Sequence, residues 1–228
     1  MPARSTRTDL LDTAERLIAE QGLAGVSVRE VIRAAGQRNN GAVNYYFGSW
    51  HALLIELWSR RTTGDALGRE LYAAAADAPD RLAALVEAYV RPFVSEVAER
   101  SPSYWARFNE QWLAGIRSDF VASPQPLVAD DPAYPTIPGL DGLKQLLTDI
   151  ANELDHLPVG DRPARAALAA RFVVSALASW ERDRVAGVWR DLDAFATELC
   201  TLMLALLRAG SADKRSSQVL RDASGSVG

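Results

Sequence analysis

Residues 34–47 of the 228-residue chain read AAGQRNNGAVNYYF, and this segment decides the fold. Gly36 ends an apolar stretch with helical spacing, because glycine adopts the left-handed conformation that closes a helix at little cost. A polar, amide-rich turn follows over residues 37–40, and a second short helix is predicted from about Asn40 to Tyr46. Two short helices joined by such a turn are typical of a helix-turn-helix motif.

The residues on both sides of this segment complete a small helical domain. Apolar residues at helical spacing predict a first helix over Leu10–Gln21. The stretch Ser27–Glu30 has the capping-box pattern, which starts a second helix that continues to Ala35. After the third helix, Gly48–Ser49 interrupts the chain, and its serine is suited to cap a fourth helix from Trp50.

Further helical segments follow, and no strand-period segment of any length is present. A strong amphipathic pattern runs from Leu82 to Val97, and Ser101–Pro102 is predicted to cap an aromatic helix after it. Five prolines predict a long loop over 121–138. The later helices are predicted at 140–154, 162–185 and 192–208. We therefore predict an all-α fold with a helix-turn-helix DNA-binding domain at 1–49, a larger helical ligand-binding and dimerisation domain at 50–210, and a flexible tail at 211–228.

Several side chains around the motif suit contact with double-stranded DNA if the third helix enters the major groove. Arginine and asparagine read base edges, small residues allow close approach, and an alanine methyl can touch a thymine methyl. A serine hydroxyl with the amide end of the second helix can hold phosphate. The residues predicted in these roles are Ser27, Arg38, Asn39, Asn40, Gly41, Ala42 and Asn44. The alternative is a turn that is merely solvated, with tyrosines packed under it.

Taken together, these segments resemble the TetR family of transcriptional regulators, over the N-terminal quarter of the chain. The shared pattern is a Ser-capped second helix, an Ala-Gly turn, an aromatic cluster ending in Phe47, and a fourth helix that carries leucines. The resemblance implies phosphate contacts at Tyr45 and Tyr46 and a base contact at Arg29. The position after the Gly-Ser turn is commonly a phosphate-binding lysine in the family. Here it is Trp50, whose indole N–H can still donate.

The charge of the chain is unevenly distributed. The net charge is −4, yet residues 1–62 hold eight arginines against six acidic residues, while the remainder holds 17 basic and 23 acidic residues. A slightly basic N-terminal part on an acidic body suits a small DNA-binding head. The only cysteine, Cys200, lies in an apolar run that predicts a buried thiol. With no signal segment and no apolar run of membrane-spanning length, we expect a cytoplasmic protein with no membrane partner.

Aromatic residues in the larger domain are candidates for a ligand pocket, since such pockets are mostly apolar with a few placed polar groups. Aromatic residues at helical spacing are also ordinary core, and this alternative stays open. The candidate pocket residues are Trp58, Tyr89, Phe93, Trp105, Phe108, Trp112 and Trp180.

An enzyme is not predicted. His51 and His156 lack a partner at metal-ligand spacing, and no nucleophile arrangement or glycine-rich phosphate loop is evident. We expect no cofactor and no metal. The hypothesis is a homodimeric repressor that binds a palindromic operator, is released by a small-molecule effector, and dimerises through its last two long helices. The alternative is a small-molecule receptor or scaffold of the same fold with weak or lost DNA binding.

Overall fold

The computed structural model describes residues 5–62, 66–115, 121, 140–188 and 191–210. Helices make up nearly all of this part of the chain, which contains no strand, so the predicted all-α fold is confirmed. The α-helices are α1 (Thr6–Gln21), α2 (Val28–Ala34), α3 (Ala42–Phe47), α4 (Trp50–Thr62), α5 (Ala66–Ala74), α6 (Arg81–Ala98), α7 (Trp105–Ala114), α8 (Leu140–Asn152), α9 (Arg162–Val185) and α10 (Leu192–Arg208). Two short 3₁₀ turns cover Leu23–Gly25 and Ala75–Asp77.

The helices α1, α2 and α3 form the head of the molecule. Leu10, Ile18, Val31 and Val43 are fully buried, and α4 adds Leu53 to the same cluster. The buried side chains continue without interruption through α6 and α9 to the end of α10. The proposed division of the chain at residue 49 therefore stays a prediction, because one core runs through both parts.

The body is built on α6, α7, α8, α9 and α10. The bounds of α9 and α10 agree with the predicted segments, because both helices carry long apolar stripes that are buried. Cys200 is buried as predicted, and burial raises the pKa of its thiol to about 12. None of the helices in the described part of the chain combines the length and the apolar character that crossing a bilayer requires.

The start of α7 differs from the prediction. Ser101–Pro102 does not cap the aromatic helix, which begins only at Trp105. The first amides of α7 are bound instead by the carboxylate of Glu181 from α9, a partner that is distant in sequence. The predicted loop over 121–138, apart from Val121, and the predicted tail from 211 lie outside the described residues.

Candidate nucleic-acid interface

The turn between α2 and α3 is shaped by Gly36. Its φ of 69° lies in the left-handed region, where a side chain would be strained. The amide of Gly36 donates to the Arg33 carbonyl at 3.0 Å, and the amide of Gln37 donates to the Ile32 carbonyl at 3.0 Å. These two bonds form a Schellman motif, which satisfies the last carbonyls of α2 and directs the chain towards α3.

Asn39 organises the start of α3. Its side-chain oxygen accepts a hydrogen bond from the Gly41 amide at 2.8 Å, and its carbonyl accepts from the Ala42 amide at 3.0 Å. This turn makes Gly41 the N-cap, so α3 begins at Ala42 and not at Asn40 as predicted. One of the two lone pairs of the Asn39 side-chain oxygen is thus engaged in the turn, and this bond fixes the orientation of the amide.

Serines cap the N-terminal ends of α2 and α4, as the sequence predicts. Ser27 Oγ accepts from the Glu30 amide at 3.2 Å, and Ser49 Oγ accepts from the Ala52 amide at 3.0 Å. Since a hydroxyl can accept and donate at once, the exposed Ser27 keeps its hydrogen for a further acceptor.

Four residues present free polar groups beside the turn. Asn40, Asn44, Tyr45 and Tyr46 are exposed, and their side chains hydrogen-bond to no other residue that the structure describes. Tyr45 is 78% exposed, and its ring meets the edge of the Tyr46 ring with centroids 4.9 Å apart. The two phenols therefore stand together at the surface, close to the amide of Asn44.

The structure corrects the prediction that Ala42 contacts DNA. Only 3% of its surface is exposed, and it belongs to the core cluster of the head. α3 packs on the rest of the head through Ala42 and Val43, while Asn44 and Tyr45 face outwards. The methyl of Ala42 is thus unavailable to a thymine. Trp50 is half-buried and packs against the core.

The arginines of the head fall into two groups. Three are neutralised: Arg7 pairs with Glu56, Arg16 with Glu20, and Arg60 with both Asp12 and Glu15. The other three, Arg29, Arg33 and Arg38, are exposed and have no carboxylate partner among the described residues. Among the arginines whose side chains the structure describes in residues 5–60, the uncompensated positive charge is therefore concentrated on α2 and the turn.

A groove of about 630 Å³ runs along this charged side of the motif. Its lining includes Ser27, Arg29 and Asn40, which the sequence predicts, and also Arg33 and Gln37, which it does not. The signal for Arg33 was its position one helical turn after Arg29, which places both guanidinium groups on one face of α2. The amide nitrogen of Gln37 donates to the Ala35 carbonyl at 3.2 Å, so its side chain is already oriented.

The candidate pocket aromatics belong to the core or pack against it, and five of them form ring contacts with one another. Six of the seven are buried and Phe93 is half-buried. Phe108 stacks between Trp105 and Trp112, with centroid distances of 5.8 and 6.1 Å, and Tyr89 donates to the Ala170 carbonyl at 3.1 Å. Such burial fits both plain core and the wall of an internal cavity, so the ligand pocket stays a prediction. Within the described residues, no three metal-ligating side chains come together.

Comparison with known proteins gives a family match for the head. The family model described as "Bacterial regulatory proteins, tetR family" matches residues 10–57. No curated protein sequence matches the chain.

Several solved structures are similar to the chain. A TetR family transcription regulator from Marinobacter aquaeolei VT8 is 14% identical, with 88% of this chain and 94% of that chain covered at a TM-score of 0.49. A TetR-like transcriptional regulator from Rhodococcus sp. RHA1 is 20% identical, with coverages of 90% and 96% and a TM-score of 0.49. NalD from Pseudomonas aeruginosa is 17% identical, with coverages of 88% and 96% and a TM-score of 0.43.

Proposed function

We propose that the chain is a sequence-specific DNA-binding transcriptional regulator. The premise is that it belongs, by its residues 10–57, to the tetR family of bacterial regulatory proteins. The observation that carries the proposal is that the arginines near the N-terminus divide into a group with carboxylate partners and a group without them. Arg29, Arg33 and Arg38 have no carboxylate partner among the described residues, and α3, which follows them along the chain, carries the exposed Asn44, Tyr45 and Tyr46. Unpaired cations with amides and phenols are the groups that bind phosphates and base edges.

The proposed DNA contacts divide by chemistry. Arg29 and Asn44 read base edges, because a guanidinium and a fully free amide each offer paired hydrogen-bonding atoms. Arg38, Tyr45, Tyr46 and the Ser27 hydroxyl bind phosphates. We place Asn40 at the base edges and Arg33 on phosphate, while Asn39, Gly41 and Trp50 mainly hold the geometry of the motif.

The proposed active form is a homodimer that acts as a repressor on a palindromic operator. Its support is the outer surface of α9 and α10, where Leu168 is 60% and Leu202 is 41% exposed. Phe172, Phe195 and Leu206 lie half-buried on the same two helices. Pairing α9 and α10 with their symmetry mates buries these side chains, and a two-fold axis then matches two half-sites.

A small-molecule effector is proposed to release the DNA. A ligand that binds the body more tightly when the heads are wrongly spaced shifts the population away from the DNA-binding form. A hundredfold loss of DNA affinity requires only about 2.7 kcal/mol of coupling. The aromatic set around Phe108 is the proposed place for such a ligand.

Selection of bound sequences from random duplex DNA tests the function. A palindromic winner is expected, and its affinity should fall steeply with salt because bound phosphates release counterions. The competing proposal is a receptor or scaffold without DNA binding, favoured by the net charge of −4 and by the half-buried Trp50 at a position where the family commonly has a lysine. A protein that binds no duplex DNA even at low salt would support that alternative and reject the regulator.

A further inference from the structure

Charged side chains from two other regions of the chain converge on α1 at the place where the head meets the body. Arg60 on α4 binds Asp12 through Nη1 at 2.9 Å and Glu15 through Nη2 at 2.5 Å. Arg100, just after the end of α6, binds the same Asp12 Oδ1 through Nη1 at 3.3 Å. One carboxylate of the head is thus shared between an arginine of α4 and an arginine of the body.

The two arginines hold Asp12 with different strength. The Glu15 side chain is 3% exposed and Arg60 is largely buried, so this pair is shielded from solvent. The Arg100 side chain is 45% exposed and approaches Asp12 at a longer distance. Exposed pairs are screened by salt and weak, whereas shielded pairs are costly to break. The Arg60 contact is therefore a fixed joint, and the Arg100 contact can open.

Space for such opening exists beside the pair. A cavity of about 610 Å³ separates the head from the segment that follows α6. Asp9, Asp12 and Ala35 line it from the head, while Arg100 and Tyr104 line it from the body. At this place head and body meet through a charged contact beside an open cleft, while the shared core holds the two parts together elsewhere, so losing the contact changes the angle of the head within the limits that the core sets.

We propose that Asp12 and Arg100 form a latch that sets the angle of the head relative to the body, and through it the spacing of the two DNA half-sites. Arg60 keeps Asp12 oriented while Arg100 closes and opens on it. The latch rests on the proposed DNA-binding function, since half-site spacing has meaning only for a DNA-binding dimer. Asp12 and Arg100 are positioning residues, which act on the operator through the orientation of α3.

A series of operators with different spacers between the half-sites tests the latch. Arg100→Glu places a like charge beside Asp12, and we expect the affinity ratio between the best and the adjacent spacers to fall at least threefold. Arg91→Glu is the matched control, because Arg91 pairs at 2.6 Å with Glu87 inside the same helix and does not reach the head. A spacer profile of Arg100→Glu that superposes on that of Arg91→Glu would overturn the proposal.

A second measurement needs no DNA and separates the latch from the function. Spin labels at the exposed positions Ala24 in the head and Asn152 in the body, diluted with unlabelled chains, report the distance distribution within one chain. We expect the distribution to widen in Arg100→Glu and to stay unchanged in Arg91→Glu. Arg100→Gln replaces the first variant if that variant misfolds. Absence of DNA binding by the wild type rejects the proposed function, whereas an unchanged distance distribution in the Arg100 variant rejects the latch.

Discussion

Two asparagines five residues apart show how position decides the role of a side chain. Asn39 has its amide oxygen bound to the Gly41 amide, so it is a structural part of the turn. Asn44 is exposed, and its amide has both atoms free of contacts with the described residues. The same residue type therefore shapes the motif at one position and is available for recognition at the other.

Replacement of Asn44 tests this difference. Asn44→Ala should reduce affinity for the selected operator by about 1–3 kcal/mol, the usual value of a bidentate contact with a base, and should relax the preference at one base position. Its thermal unfolding should stay that of the wild type. Asn39→Ala is the companion variant, and it should lower the unfolding temperature because the turn loses a hydrogen bond. Equal operator affinity in Asn44→Ala and wild type would remove α3 from the interface.

The unpaired arginines should be visible in the salt dependence of binding. Arg38→Ala should lower the slope of log affinity against log salt by about one, since one phosphate contact is lost. Arg16→Ala is the control, because Arg16 is already neutralised by Glu20 at 3.0 Å. Titrations at four or more salt concentrations measure both slopes. Parallel lines for the two variants would contradict a phosphate contact at Arg38.

At the residue scale, the sequence predicted the presence of the motif better than the direction in which each side chain points. The residue types of the turn indicate its function, and Asn44, Tyr45 and Tyr46 are exposed as expected. Ala42 is predicted at the DNA face from its small size and its methyl group, but its side chain packs in the core of the head. The face that a short helix buries follows from the folded geometry and not from residue type alone.

At the scale of elements, α7 is fixed to α9 by polar contacts at both ends. The buried Glu181 carboxylate accepts from Ser103 Oγ at 2.6 Å and from the amides of Ala106 and Arg107 at 3.1 and 3.0 Å. At the other end, Arg171 donates to the Leu113 carbonyl at 2.8 Å. Local capping patterns could not predict this arrangement, because the capping groups come from a helix more than fifty residues away.

Removal of the Glu181 carboxylate should be strongly destabilising. Glu181→Ala leaves the guanidinium of Arg107 buried without its countercharge, since Arg107 Nε lies 3.5 Å from the Glu181 carboxylate. Losing one member of a buried ion pair typically costs about 3–5 kcal/mol. Urea unfolding measures the change, with Glu70→Ala on the exposed side of α5 as the control. A loss below 1 kcal/mol would show that α7 is held by its apolar contacts alone.

The Asp80 cap at the start of α6 should make the stability of the fold depend on pH. Asp80 accepts from the Ala83 amide at 3.1 Å and pairs with Arg208 of α10, and these two contacts hold the pKa of its carboxyl below the ordinary 3.8. A lowered pKa in the folded state contributes stability above the unfolded value and loses it as the pH falls through the folded value. Asp80→Ala should therefore cost about 1 kcal/mol at pH 7, and this difference should shrink below pH 4.

Urea unfolding at a series of pH values follows the Asp80 effect. Asp77→Ala is the control, because Asp77 is exposed and makes no hydrogen bond to a described residue. A difference between Asp80→Ala and wild type that stays constant from pH 7 to pH 3 would mean that the carboxylate charge has no part in the cap.

At the scale of the whole molecule, the sequence predicted the bounds of the two long helices, but it did not predict the contacts that attach the head to the body. The bounds of α9 and α10 follow from apolar stripes long enough to be read in one window. The attachment depends on Arg100, Arg60 and Asp12, which are up to 88 residues apart and ionic in character. Charged residues carry no periodic signal of their partners, so only the folded chain brings them together.

The exposed surface of α9 and α10 leads to the final prediction, which concerns assembly. A soluble monomer rarely exposes a contiguous apolar surface without use, and Leu168 and Leu202 lie on adjacent helices. Leu168→Glu should convert the proposed dimer to a monomer in sedimentation at micromolar concentration, because the proposed two-fold axis would bring each new carboxylate close to its copy or to apolar neighbours.

Val159→Glu separates the effect of the interface from that of any exposed apolar residue. Val159 is more exposed than Leu168 but lies in the connection between α8 and α9. It should leave both sedimentation and operator affinity unchanged. Leu168→Glu should instead lose most of its affinity for a full palindrome while binding a single half-site as weakly as the wild type does, since each head remains folded. A wild type that sediments as a monomer, or a Leu168 variant that remains dimeric, would place the interface elsewhere and would require the two heads to be joined through another surface.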